Sequence, residues 1–175
     1  DLLSQAEHDP LAQSILITND EAFARAVAEQ VAAILPTLER EAIARASWKN
    51  YGAIITVEHW DQGCEIANII APEHLELMVE NTKELMGKIT HAGAIFMGRY
   101  TPEAIGDYIA GPSHVLPTSR TARFSSGLSV FDFLKRTSLI ACTRTSYDTL
   151  ASNASCMAKV EGLGAHELSL NVRKS

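Results

Sequence analysis

The stretch Ile70-Ala71-Pro72-Glu73-His74-Leu75-Glu76 decides how this chain reads. The residues before it, Ala67–Ile70 (A-N-I-I), read as the end of a buried strand. Pro72 then stops the strand and pre-sets φ for a helix start. The spacing therefore predicts a helix over Glu73–Val79, with Glu73 and His74 in its first turn. A helix N-terminus is electropositive. It holds Glu73 ionised and disfavours charge on His74, leaving a carboxylate beside a neutral imidazole. Those are the species that general-base chemistry needs near neutral pH. A capping carboxylate beside a half-exposed histidine is the plainer reading of the same pair.

Upstream of this stretch, short β-branched runs alternate with amphipathic segments. Ser14–Thr18 and Gly52–Val57 read as strands, and Ala92–Met97 follows downstream as another. Asn19 or Asp20 caps a helix whose buried stripe is Phe23, Val27, Val31, Ile34 and Leu35. Pro36 ends or kinks it, and a second helix is predicted over Glu39–Ser47. A short helix over Asp61–Ile66 is capped by Asp61, and N-T-K-E opens another over Asn81–Lys88 at capping-box spacing. The alternation predicts an α/β layered domain with a mostly parallel sheet, an incomplete Rossmann-like domain, over residues 1–110. Ligands in such sheets sit at strand ends.

The character changes after Gly98. Thr101–Ala110 reads as a helix with Pro102 at its first position and Glu103 in its first turn. Residues 111–126 form a long irregular connection, a length that is usually functional or disordered. Residues 127–175 read as a helical C-terminal appendage. Gly127–Cys142 is amphipathic, Thr145–Glu161 is a helix capped by Ser146, and Gly162–Ser175 is a tail open to strand or frayed helix.

Composition narrows the function classes. The 175 residues are 46% hydrophobic and 21% charged, ordinary for one globular domain with or without an appendage. A net charge of −6 argues against general affinity for nucleic acid. No apolar run approaches the ~20 residues of a membrane span. Cys64, Cys142 and Cys156 are odd in number and widely spaced, which reads as buried, reduced thiols in a cytoplasmic setting. There is no G-x-G-x-x-G after any strand and no phosphate loop.

Other side chains stand out singly. Gln5 and His8 are three apart on an expected helix and so share a face; imidazole is the commonest metal ligand and an amide oxygen an acceptable partner. Asp107 sits at the end of its helix, just before the irregular loop. His114 lies in that loop between Pro112 and Pro117, on stiff backbone. Glu161 and His166 bracket E-G-L-G-A-H, where Gly162 and Gly164 can stop the helix and turn the chain.

Taken together, D-L-L-S-Q-A-E-H-D-P, A-P-E-H-L-E, G-A-I-F-M-G, G-D-Y-I-A-G-P-S-H-V-L-P-T, T-A-R-F-S-S-G-L-S-V and E-G-L-G-A-H closely resemble histidinol dehydrogenase, in order and spacing, along the whole chain. The resemblance implies NAD-dependent oxidation of L-histidinol to L-histidine through an aldehyde, a zinc ion in the site, and an intertwined homodimer. By this resemblance Gln5, His8, Asp107 and His166 match zinc ligands, and the zinc shell would also hold the substrate's imidazole and amine. Glu73 and His74 match proton acceptors: His74 for the hydroxyl and the aldehyde hydrate, Glu73 for the attacking water. Glu161 matches a substrate contact and His114 is a further candidate, with Glu161 and His166 reaching the site from the other subunit.

The resemblance covers only the C-terminal part of the family's chain. It implies that a preceding segment, with the nicotinamide-binding domain and another substrate-contacting serine, lies outside this sequence. Two expectations follow: the polypeptide alone does not turn over histidinol, and it exposes apolar surface. A zinc-binding, non-catalytic module or pseudoenzyme is the alternative reading. A zinc hydrolase using Glu73 to activate water is disfavoured, because no H-E-x-x-H pairs histidines on one helix.

Overall fold

The computed structural model describes residues 1–173, which divide into two compact units, Asp1–Phe133 and a second that begins at Leu134. The first unit is α/β. Strand β1 (Ile15–Thr18) pairs in parallel with β2 (Ala53–Thr56), in register from Ile15↔Ala53 to Thr18↔Thr56. Helices α2 (Glu21–Ile34) and α3 (Glu41–Tyr51) lie between them in sequence and provide the crossover that parallel strands require. Asp20 caps α2: one carboxylate oxygen accepts from the Ala22 and Phe23 amides at 2.8 and 3.0 Å. A five-residue helix α1 (Leu2–Ala6) packs on α3, where Ala6, Leu35 and Ala44 form a small core flanked by Leu3 and Leu38. Two buried hydroxyls fix this corner. Ser14 Oγ donates to the Leu2 carbonyl and Ser47 Oγ to the Ala12 carbonyl, each at 2.8 Å.

A second parallel pair joins β3 (His74–Leu77) to β4 (Ala94–Met97), in register from His74↔Ala94 to Leu77↔Met97. Helix α4 (Trp60–Ile70) packs against β1 and against α5 (Thr82–Met86). Cys64, Leu77 and Leu85 are the buried centre here, with Trp60, Leu75 and Ile95 around them. The expected sheet is therefore parallel throughout but built as two separate two-stranded pieces.

The opening stretch folds differently from its sequence expectation. Ala67–Ile70 is the last turn of α4 and not a strand, because Cys64, Ala67 and Ala71 bury at helical spacing. Ala71 ends the helix in the left-handed region at φ 49°. Helix Glu73–Val79 does not form; its place is taken by β3. The H-L-E-L alternation explains why: Leu75 and Leu77 join the core, while His74 and Glu76 fall on the opposite face. Asp61 lies in the first turn of α4 and His59 is its cap residue.

Helix α6 (Glu103–Tyr108) is shorter than expected, with Pro102 at its cap position. The connection after it is irregular, as anticipated, but tied down. Arg120 and Arg123 both donate to the Ile69 carbonyl, at 2.7 and 2.6 Å, at the C-terminal end of α4. Between Gly127 and Cys142 the only regular element is the 3-10 turn Val130–Phe133, so the predicted amphipathic element is largely irregular.

In the second unit, α7 (Arg144–Val160) packs on α8 (Gly164–Asn171), and Tyr147 Oη donates to the Leu170 carbonyl. Thr143 is the cap, its hydroxyl accepting from the Ser146 amide, in place of the expected Ser146. Gly162, at φ 73°, stops α7: its amide and that of Leu163 turn back to the Lys159 and Ala158 carbonyls. The tail up to Asn171 is thus a helix; Lys174 and Ser175 fall outside the described residues.

Cys64 is buried, whereas Cys142 and Cys156 are exposed, contrary to the expectation of three buried thiols. Large apolar side chains stand in solvent, among them Tyr100, Tyr108, Ile109, Phe131 and Leu139. No helix among the described residues is long and apolar enough to cross a membrane.

Candidate active site

Strand β3 and helix α6 carry the chemistry-bearing side chains of the first unit. On β3, His74 and Glu76 are two residues apart and share a face. On α6, Glu103 and Asp107 are four apart and likewise share a face. The chain passes from β4 into α6 through Gly98, at φ 86°, and Thr101 Oγ1 donates to the Met97 carbonyl at 2.9 Å. Gly106 lets the helix lie close to the strand. A Cβ there would come within 2.2 Å of the Phe96 ring. Phe96 in turn packs beside the His74 ring, with centroids 5.7 Å apart.

This close approach brings three ligand-type groups together. One ligand atom from each of His74, Glu103 and Asp107 lies within 4.8 Å of the others. His74 Nε2 stands 3.6 Å from Asp107 Oδ1, beyond hydrogen-bonding distance. Nε2 is buried and has no hydrogen-bond partner among the described residues. Burial pushes the Glu103 carboxyl above its ordinary range, and a hydrogen bond to Asp107 with the charge beside it pushes the same way. His74 and Glu103 line a cleft of about 490 Å³ together with Gln5, Glu73, Glu76 and Arg120 among others, and Asp107 stands behind them. An imidazole nitrogen without a partner, carboxylates and an amide around one cleft can hold a cation or move a proton.

The remaining sequence candidates are placed as follows. Glu73 and His74 do line one cleft with Gln5, yet not at a helix start, so the dipole argument for their ionisation fails. Its physical basis was Pro72, which here lies in the link between α4 and β3. Gln5 is on α1, but α1 ends at Ala6 and His8 lies in the turn beyond it. His8 is exposed and does not line the cleft, and its carbonyl accepts from Arg40 at 3.4 Å. His114 is exposed in the loop, with Nδ1 3.4 Å from the Asp107 carbonyl oxygen. Glu161 closes α7 and His166 sits in the first turn of α8, both exposed on the second unit. Sequence reasoning missed Glu76 and Glu103 as cleft residues. The signals were present in the period-two spacing of Glu76 from His74 and the helical spacing of Glu103 from Asp107.

Comparison with known proteins gives the family of the chain. The family model described as histidinol dehydrogenase matches residues 1–174. The chain is 58% identical to a histidinol dehydrogenase of Ruegeria pomeroyi over 173 residues, covering 99% of this chain and 40% of that protein. It is 57% identical to one of Gluconobacter oxydans, with the same coverage. The crystal structure of histidinol dehydrogenase from Elizabethkingia anophelis superposes with a TM-score of 0.90 at 37% identity, covering 98% of this chain and 40% of that one. The chain therefore spans about 40% of the length of these relatives. It belongs to the histidinol dehydrogenase family.

Proposed function

We propose that this chain supplies the metal- and substrate-holding face of an enzyme that oxidises L-histidinol to L-histidine with NAD, in histidine biosynthesis. The observation that carries the reading is the buried, unpartnered Nε2 of His74 beside Asp107. His74 takes the proton from the substrate hydroxyl, and later from the aldehyde hydrate. Glu73, half-buried on the same cleft, takes a proton from the water that attacks the aldehyde.

The donor set fits zinc, which takes nitrogen and carboxylate or amide oxygen. Gln5 and Asp107 would hold it within the first unit, His8 after a shift of its turn, and His166 from a second copy of the chain. When bound, zinc supplies coordination positions that fix the substrate's imidazole and amine. Glu161 would contact the substrate from that second copy in a homodimer, and His114 would steady Asp107 or the substrate. NAD supplies the hydride acceptor, and with no glycine fingerprint in this sequence its binding falls to the rest of the family's length.

The polypeptide alone does not turn over histidinol. The test is zinc and histidinol titration of the chain by calorimetry, alongside NADH production from histidinol and NAD⁺. Binding without turnover is expected. Robust turnover refutes the division of labour, and no zinc binding refutes the metal-holding role. Because the chain spans about 40% of its relatives, a non-catalytic zinc-binding module is the second reading, favoured if zinc binds and histidinol does not.

A further inference from the structure

We propose that Glu76 is a positioning residue: its carboxylate docks the start of α6 onto β3 and so sets Asp107 against His74. The inference rests on the reading that Asp107 helps hold a cation. Helix α6 has only six residues, buries none of them, and has no side-chain cap of its own, because its cap residue is Pro102. Its first-turn amides are therefore orphans that need an acceptor from elsewhere. Glu76 supplies one across 27 residues of sequence: the Glu103 N–H donates to Glu76 Oε1 at 2.9 Å. A carboxylate at a helix N-terminus is also favoured by the helix dipole.

The geometry makes this bond more than a local cap. His74 and Glu76 share one face of β3, and Glu103 and Asp107 share one face of α6. Two residues on a strand thus meet two on a helix. One meeting point is the Glu76–Glu103 bond; the other is the 3.6 Å approach of His74 to Asp107. A second hold on α6 is the contact of Gly106 with Phe96, which fixes the height of the helix above β4 but gives no hydrogen bond. Releasing the Glu76 end leaves α6 free to rotate about that contact, and Asp107 moves with it.

The test uses this chain with zinc as the probe, in parent, Glu76→Gln, Glu76→Asp and Glu76→Leu forms. Zinc affinity is measured by competition with a chelating dye and Glu103 amide exchange by NMR. Glu76→Gln keeps an acceptor oxygen at the same reach and is expected to stay within about threefold of the parent in both readouts. Glu76→Asp shortens the reach, and Glu76→Leu removes the acceptor. Zinc affinity should fall about three- to tenfold in the first and about ten- to a hundredfold in the second, with Glu103 exchange accelerating in the same order. A merely structural role would weaken all three variants in proportion to their melting temperatures. Parent-like zinc affinity in Glu76→Asp and Glu76→Leu overturns the proposal. If the parent binds no zinc, the cation reading falls and exchange alone decides: equal Glu103 exchange in all four forms overturns the docking role, and selective loss in Glu76→Leu supports it.

Discussion

His74 Nε2 and Asp107 Oδ1 face each other at 3.6 Å with neither side chain more than about a fifth exposed. The separation is too long for a hydrogen bond and short enough for each charge to be felt by the other. Nε2 is buried and has no hydrogen-bond partner among the described residues, so it keeps an unused ligand position. That is the condition for a site that holds a cation through the carboxylate while the imidazole handles protons.

Removing the charge of Asp107 tests this arrangement. Asp107→Asn keeps the shape and one acceptor oxygen but not the anion. Zinc affinity of the chain is expected to fall by about two orders of magnitude, in line with loss of a charged ligand and its hydrogen bonds. Metal content after dialysis checks it; parent-like retention would remove Asp107 from the ligand set.

Glu103 gives a pH dependence with a definite sign. Its folded carboxyl is raised above the ordinary value of 4.5, chiefly by burial and then by Asp107. The folded protein therefore holds this proton more tightly than the unfolded chain. The associated stability is present in full below the unfolded pKa and is lost as pH rises through the folded one. Glu103→Gln mimics the protonated form. Its melting temperature should exceed the parent's by about 2 °C at pH 7 and match it near pH 4. Thermal melts across pH 4–8 decide the matter, and a lower melting temperature at pH 7 would contradict it.

The contact between Gly106 and Phe96 predicts a second kind of damage. A methyl group at Gly106 would sit 2.2 Å from the Phe96 ring, so either the ring or the helix must move. Gly106→Ala is expected to cost about 1–3 kcal/mol of stability by overpacking. Because the displaced helix carries Asp107, zinc affinity should fall as well. Paired Gly106→Ala and Phe96→Leu substitutions should recover part of the loss, since the smaller side chain frees the space. Chemical denaturation and zinc titration of the single and double variants measure both effects.

Much of the fold was legible wherever a local signal and the tertiary environment agreed. Asp20 caps α2, β1, β2 and β4 fall inside their apolar runs, and Gly162 ends α7. The reading failed at the stretch it was built on. Pro72 suggested a helix start, but one proline sets one φ, whereas the alternation of His74, Leu75, Glu76 and Leu77 sets which face of a whole strand is buried. The longer pattern wins because two leucines bury in the core. The placement of His74 on a cleft did not depend on the element, since a strand start presents it there as well. The faces of Glu76 and Glu103 could be read from their spacings to His74 and Asp107, but their meeting could not: it spans 27 residues and depends on how α6 lies on β4, which no local spacing records. His8 was expected on the helix but lies beyond it, because α1 stops two residues short of it.

Glu73 is the residue whose proposed role separates the two oxidation steps. Its backbone is fixed at the mouth of the second strand pair, where the Glu73 carbonyl accepts from the Ala94 amide at 2.8 Å. Close packing helps hold it: a Cβ on Gly93 would come within 2.5 Å of the same carbonyl oxygen. The side chain is thus presented to the cleft from a rigid element, next to His74 and not in place of it. Oxidation of the alcohol needs a proton taken from the hydroxyl, which is assigned to His74. Oxidation of the aldehyde needs water added first, which is assigned to Glu73. In an enzyme of full family length, Glu73→Gln should therefore slow the second step by about 10²–10⁴-fold and the first by much less. Single-turnover measurements starting from histidinol and, separately, from the aldehyde resolve the two rates. Equal slowing of both steps would mean that Glu73 acts on the site as a whole, and the water-activating role would have to be given to another group.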